Sequence, residues 1–241
     1  MDNSIIENSV KIEKDWRVTS DNKFDNERVR FVDYLNLNLD GKNVLEMSAG
    51  ALGTLTKYLL NKNSNLTITD GREENIQFNI KRNNIKEIDY KIVDYDKDYS
   101  IDKPYDVIFC FGLLYHLSNI ENVVKNIGHN CRDYAIISTC VRRDDNPSNT
   151  YTDDIDNYTQ ALNGVGISFS RETLKKELEK YFRYVCVPYY LPNDPHHYPL
   201  NWPVEKGRLF KRQIFFATND KKFIDENKFS YDLLNEYKYL E

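Results

Sequence analysis

The sequence predicts an α/β fold in which a mostly parallel sheet carries helices on both faces. Two observations lead there. Short apolar runs of strand length alternate with helical patterns from residue 28 to residue 138, and most of those runs end on an acidic residue or a glycine turn. Strand-helix-strand alternation forces parallel pairing through right-handed crossovers, and ligands then bind at the carboxyl ends of the strands.

Arg28 to Leu37 carries Val29, Phe31, Val32, Leu35 and Leu37 among charges, the pattern of a helix lying on a sheet, and Asp40-Gly41 closes it. Asn43 to Met47 is the first strand, reaching Glu46; a Ser/Ala/Gly turn leads into a helical pattern through Leu55, Tyr58, Leu59 and Leu60. Leu66 to Thr69 alternates β-branched residues up to Asp70, and Glu73 to Arg82 reads as the second crossover helix. Tyr90 to Val93 is a third strand, ending at Asp94. Tyr105 to Phe111, bounded by Pro104 and Gly112, suits a fourth, central strand covered on both faces. Ser118 and Glu121 have the spacing of a capping box for a helix through Ile120, Val123, Val124 and Ile127, and Tyr134 to Ser138 follows as a fifth strand. Ser170 is placed to cap a helix carrying Leu174, Leu178 and Phe182, with Tyr184 to Val187 and Gln213 to Ala217 as the remaining strands. Residues 140–169 and 188–212 are too long for plain connections and suit lid and substrate-recognition segments.

With 241 residues, 40% of them hydrophobic, the chain can fill the core of one domain. Its expected parts are an N-terminal helical lid (1–40), a ligand-binding half (41–139), a second half with insertions (140–218) and a tail (219–241). Phe223, Phe229, Leu233 and Tyr237 in the tail fit packing on the domain or on a second subunit, so a homodimer is a possible assembly. The 33 basic and 38 acidic residues give a net charge of −5, which provides no broad field for phosphate backbones. No run approaches the roughly 20 apolar residues that cross a bilayer, and Met1 to Asp15 is too charged for a secretory signal. Cys110, Cys131, Cys140 and Cys186 lack CxxC spacing, and the expectation is a reduced, cytoplasmic chain with no membrane partner.

The segment Val44-Leu45-Glu46-Met47-Ser48-Ala49-Gly50-Ala51-Leu52-Gly53 joins a strand ending in a carboxylate to a glycine-containing turn. Glycines let a backbone approach a ligand closely and accept positive φ, while a carboxylate faces a cationic group. Such a turn by itself equally serves a nicotinamide enzyme. The segment resembles the cofactor loop of class I S-adenosylmethionine methyltransferases, with two departures: Ser48 replaces the first glycine, and Gly53 falls one residue late. Asp70-Gly71-Arg72 followed by Asn75 looks like the acidic-Gly-Arg-x-x-Asn segment of one branch of that family, often associated with glycan biosynthesis. Tyr105 to Leu117, ending Gly-Leu-Leu-Tyr-His-Leu, closely resembles the fourth strand of that branch and its exit.

The resemblance, which spans roughly residues 25 to 218, implies a Rossmann-like sheet of seven strands, the last antiparallel. It implies S-adenosyl-L-methionine as cofactor and S-adenosyl-L-homocysteine as product, held by Glu46, Ser48, Ala49, Gly50, Gly53, Asp70, Gly71, Arg72, Asn75, Asp94, Tyr95, Phe111 and Gly112. Asp70 then holds the ribose diol and Asp94 accepts from the adenine amino group. Tyr115 and His116 face the reaction space as catalytic residues. His116, with an ordinary pKa near about 6.5, suits a general base, although a histidine at a helix start is equally satisfied by a backbone carbonyl. Positioning alone supplies roughly 7 to 11 kcal/mol, so a base assists the transfer without being compulsory.

Ser138 to Val141, Gln160 with Gly164 and Gly166, and Pro195 to Trp202 look like the acceptor half of the same branch. Thr139, Gln160, His196, His197, Asn201 and Trp202 are the implied contacts to a polar small-molecule acceptor such as a sugar or nucleotide-linked sugar, although packing is the commoner fate of a tryptophan like Trp202. Adjacent histidines point apart, and no HxxxH or carboxylate cluster joins them, so no metal is expected. Trp16-Arg17 and Phe24 to Arg30 match a lid beside the cofactor, with Arg28 as a candidate contact. The leading expectation is O-methylation, with N-methylation behind it. A transfer RNA wobble-base methyltransferase is the alternative; it needs a basic groove, for which Lys175-Lys176 and Lys206 to Arg212 are the candidate basic groups. A cofactor-binding protein without turnover is the third, because of the irregular glycine loop.

Overall fold

The computed structural model describes residues 23–97, 99, 101, 103–146, 148–153, 161–204 and 210–241. Helix α1 (Lys23–Leu35) leads into β1 (Asn43–Met47), α2 (Thr54–Asn61), β2 (Asn65–Asp70), α3 (Glu73–Arg82), β3 (Asp89–Ile92) and β4 (Tyr105–Phe111). A 3-10 turn (Leu114–His116) precedes α4 (Ile120–Asn130), β5 (Cys131–Arg142), β6 (Thr150–Asp153), β7 (Val165–Ser168) and α5 (Arg171–Glu179). The chain ends through β8 (Tyr184–Pro188), β9 (Tyr190–Leu191), β10 (Phe210–Thr218), β11 (Phe229–Ser230) and β12 (Lys238–Tyr239).

The main sheet has the order β3-β2-β1-β4-β5-β10-β8-β11. Strands β1 to β5 pair in parallel, and β10 inserts antiparallel between β5 and β8. Right-handed crossovers place α2 and α3 on one face and α4 on the other, where α5 joins it. The order reverses at β1, whose neighbours are β2 and β4, so the crevice opens at the carboxyl ends of these three strands. Val107, Ile108, Phe109 and Cys110 in β4 are fully buried, which is the covering expected of a central parallel strand.

The structure corrects the expected boundaries in three places. Among the described residues the sheet has eight strands, the tail adding the short β11 beside β8 to the seven expected. The cap of α4 is Asn119, whose Oδ1 accepts from the Glu121 amide at 2.9 Å; Ser118 instead gives its amide and hydroxyl to Asp96 at 2.7 and 2.8 Å. Strand β5 continues past Ser138 to Arg142, since β10 pairs with it over its whole length. Of the two long segments, 140–169 contains the β6-β7 hairpin, and 188–212 contains β9. The tail packs on its own domain: β12 pairs with β9, and the Tyr237 hydroxyl donates to Gln213 at 3.1 Å. No helix among the described residues is long and apolar enough to cross a membrane.

Candidate active site

One cavity at the carboxyl ends of β1, β2 and β4 is lined by Glu46, Ser48, Ala49, Gly50, Gly53, Asp70, Gly71, Arg72, Asn75, Asp94, Tyr95, Phe111, Gly112, Tyr115 and His116. The fold therefore gathers residues that the sequence spreads over seventy positions. Its floor is the turn after β1. Ser48 has φ of 55°, Gly50 of 67° and Gly53 of 61°, so the serine takes up the left-handed backbone that a glycine adopts freely. Gly53 comes late because it caps α2. It must also lack a side chain, since a Cβ there would lie 1.9 Å from Asn79 Oδ1. Asn79 in turn donates to the Gly50 carbonyl at 3.2 Å and to Thr56 Oγ1 at 3.0 Å, which ties α3 to the loop.

Two buried carboxylates face the cavity. Glu46 accepts from Thr56 Oγ1 at 2.7 Å, and among the described residues no basic side chain forms an ion pair with it. Burial pushes its pKa up to about 8, against the hydrogen bond from Thr56 and the pull of Arg28. Asp70 accepts from the Gly50 amide, the Arg72 amide and Asn75 Nδ2, each at 3.0 Å. Burial raises its pKa too, opposed by those three donors. It thus fastens the β1 turn to the start of α3, leaving one of its roughly four lone-pair sites for a ligand. Asp94 lies just beyond β3, capping the Asp96 amide at 3.2 Å and pairing with Lys97 at 3.0 Å. The Tyr95 hydroxyl is bound to Thr69 Oγ1 at 2.5 Å. Gly71 has a steric reason: a Cβ there would come within 2.4 Å of Leu162, which lines the cavity with Ala161.

The other end of the cavity is aromatic and cationic. Gly112, at φ of 82°, donates its amide to the Ser138 carbonyl at 2.7 Å and turns the chain out of β4. The 3-10 turn that follows presents Tyr115 and His116, their rings 3.9 Å apart. The Tyr115 hydroxyl accepts from Arg212 Nη2 at 2.9 Å. Burial raises the Tyr115 pKa, opposed by Arg212, so the phenol stays protonated near neutrality. Phe24, Asp25 and Arg28 of α1 close this end, with Arg28 over both Phe24 and Phe111. Sequence reasoning missed Asp96, Ala161, Leu162 and Arg212. Only Arg212 had a visible signal, a basic residue in a strand otherwise rich in aromatic and aliphatic groups.

A family model described as a methyltransferase domain matches residues 22–185, about two thirds of the chain. The chain belongs to that methyltransferase family. It is a methyltransferase with a Rossmann-like class I fold. Among solved structures, the N-terminal domain of EvdMO1, crystallised with SAH and D-fucose, aligns with a TM-score of 0.65 at 17% identity, covering 90% of this chain and 97% of that one. Magnesium protoporphyrin IX methyltransferase from Synechocystis PCC 6803, with bound SAM, aligns at 0.59 and 14% identity over 89% and 91%. A SAM-dependent methyltransferase from Mesorhizobium loti aligns at 0.57 and 14% identity over 79% and 97%. A comparison with curated proteins gives no match. The residues present fit S-adenosylmethionine, the expected cofactor: a buried carboxylate with no ion pair among the described residues is suited to an ammonium group, and a second carboxylate at the end of β2 to a ribose.

Of the expected acceptor residues, the described ones, Thr139, His196, His197, Asn201 and Trp202, lie outside this cavity's lining. Thr139 is fully buried in β5. Trp202 is 4% exposed and packs under the Arg171 guanidinium at 4.3 Å. Asn201 bridges to Glu236 of the tail, and His196 is exposed. His197 comes nearest: its ring contacts Phe24 with centroids 4.3 Å apart, its Nδ1 is 2.7 Å from Asp194, and its carbonyl accepts from the Arg212 amide. Burial lowers its pKa, opposed by Asp194. Gln160, Trp16 and Arg17 lie outside the described residues.

Proposed function

We propose that this methyltransferase methylates an oxygen on a polar small molecule, a sugar or a nucleotide-activated precursor of a surface glycan. The observation that carries the reading is the division of one cavity into a carboxylate end, Glu46 and Asp70, and an end where Tyr115, His116 and Arg212 meet aromatic rings. In this reading Glu46 binds the cofactor's ammonium, Asp70 the ribose, and Asp94 with Tyr95 borders the adenine. The cofactor supplies an activated methyl group when bound. Tyr115 accepts from Arg212, so its own hydroxyl proton is available to orient the acceptor. His116, a partly exposed neighbour on the same turn, takes the acceptor's proton. The co-crystallised D-fucose of the EvdMO1 domain supports a sugar-like acceptor.

Transfer RNA is less well supported. Lys175 and Lys176 on α5 pair with Glu179 and Glu172, which removes one of the two basic clusters from a groove. Calorimetry with S-adenosylhomocysteine, followed by a mass-spectrometric search for a one-methyl gain among nucleotide sugars and transfer RNA, tests the assignment. Methylated nucleotide sugar confirms it; methylated transfer RNA, or donor binding with no methylated product, rejects it.

A further inference from the structure

Arg212 is a buried cation without a counter-ion among the described residues. It stands on β10 opposite Cys140 of β5, is 8% exposed and lines the cavity. Its Nη2 donates to Tyr115, while Nε and Nη1 are sealed from bulk water with no hydrogen-bond partner among the described residues. Among the described residues no carboxylate forms an ion pair with it. A second cation stands beside it: Arg28 and Arg212 lie 4.9 and 5.1 Å from the centroid of Phe24, and Asp25 pairs with Arg28 at 3.1 Å. A guanidinium does not escape by losing its proton, and an unpaired buried charge is among the costliest features a fold can retain. The aromatic faces of Phe24 and Tyr115, at 5.1 and 5.2 Å, offset part of that cost without neutralising the charge.

Position says which ligand would supply the missing anion. The guanidinium lies over the turn leaving β4, since a Cβ on Gly112 would stand 3.8 Å from Nη1. Arg28 lies over the Phe24 and Phe111 rings and its charge reaches Glu46 as well as Tyr115, whereas Arg212 is hydrogen-bonded to Tyr115 itself. We infer that Arg212, oriented by Tyr115, is the receptor for an anionic oxygen group, a carboxylate or a phosphate, carried by the methyl acceptor. The inference rests on the methyl-transfer reading of this cavity and narrows its substrate class from polar to anionic.

The test uses the full chain saturated with S-adenosylhomocysteine, titrated with acetate and with inorganic phosphate against chloride at equal ionic strength. Wild type is expected to bind one of the oxyanions, and which one binds distinguishes carboxylate from phosphate. Arg212→Gln should weaken that binding by about tenfold or more, Arg212→Lys should keep part of it, and both should bind S-adenosylhomocysteine within about threefold of wild type. If Arg212→Gln does not fold, Tyr115→Phe carries the test, with weaker oxyanion binding and unchanged S-adenosylhomocysteine affinity expected. No oxyanion effect beyond chloride, or an effect that survives loss of Arg212, overturns the inference. So does a parallel loss of S-adenosylhomocysteine affinity, which would give the guanidinium to the donor. Failure of wild type to bind S-adenosylhomocysteine at all overturns the underlying reading instead.

Discussion

Glu46 gives the sharpest quantitative prediction. Its carboxyl forms no ion pair among the described residues, and burial pushes its pKa from the ordinary 4.5 up to about 8. When an ammonium takes the place beside it, Coulomb attraction favours the ionised form, and the proton held at neutral pH must leave. With a midpoint near 8, ligand binding should release about 0.9 of a proton at pH 7 and about 0.1 at pH 9. Calorimetric titration of S-adenosylhomocysteine in two buffers of different ionisation enthalpy measures that number directly. Glu46→Gln should abolish the release and weaken binding by about 1.5 to 3 kcal/mol, the value of a hydrogen bond to a charged group. The same group predicts an opposite effect on the free protein. Between about 4.5 and 8 the folded state binds more protons than the unfolded one, so this carboxyl's contribution to stability is full below 4.5 and is lost as pH rises through 8. Glu46→Gln should therefore melt higher than wild type at pH 8 in the absence of ligand. Heats that do not depend on the buffer, with wild-type affinity in the glutamine variant, would remove Glu46 from the ligand site.

Asp70→Ala should cost about 1 to 3 kcal/mol of S-adenosylhomocysteine affinity, because it removes the ribose partner and unties the Gly50 amide; unchanged calorimetric affinity refutes it. His116→Ala should leave that affinity intact while lowering kcat by about 100-fold or more, and an unchanged rate would show that positioning suffices. Ser48→Gly should stabilise the fold by about 1 kcal/mol and raise Tm by about 2 to 4 °C, since it removes a left-handed serine; a lower Tm would mean that the serine is held by contacts worth more than its strain. Trp202→Ala should lower stability by about 3 to 5 kcal/mol in denaturant titration without touching S-adenosylhomocysteine binding, as expected of a ring packed under Arg171 and not of a wall of the donor site.

The fold was legible wherever one strand and the following helix sufficed to define it. β1, α3 and β4 begin and end where the apolar runs do, because each is bounded by its own turn residues. The misjudged boundaries depended on distant partners. Ser118 lost its expected capping role to Asp96, twenty-two residues earlier, and β5 was lengthened by β10, which pairs with it from a sequence distance that no window captures. The tail's β11 is two residues long and is a strand only because β8 is beside it.

The same division explains what the sequence revealed of the site. The carboxylate half of the cavity is built from strand ends and the turns that follow them, so Glu46, Gly50 and Asp70 carry a local pattern that marks them. The aromatic and cationic half has no such pattern, because it is assembled across the sheet. Arg212 meets Tyr115 over ninety-seven positions, and it does so only because β10 is antiparallel and slots in beside β5. The histidines, asparagine and tryptophan of 196–202 look chemical in sequence. In space this stretch lies against the tail, where Tyr237 hydrogen-bonds the Leu200 carbonyl and Trp202 that of Asn235, and it touches the cavity's lining where His197 and Tyr198 meet Phe24 and where the His197 carbonyl accepts from the Arg212 amide. A residue type suited to binding marks a site only when topology delivers it to the crevice. In this chain the antiparallel insertion delivers the arginine and leaves the tryptophan in the core.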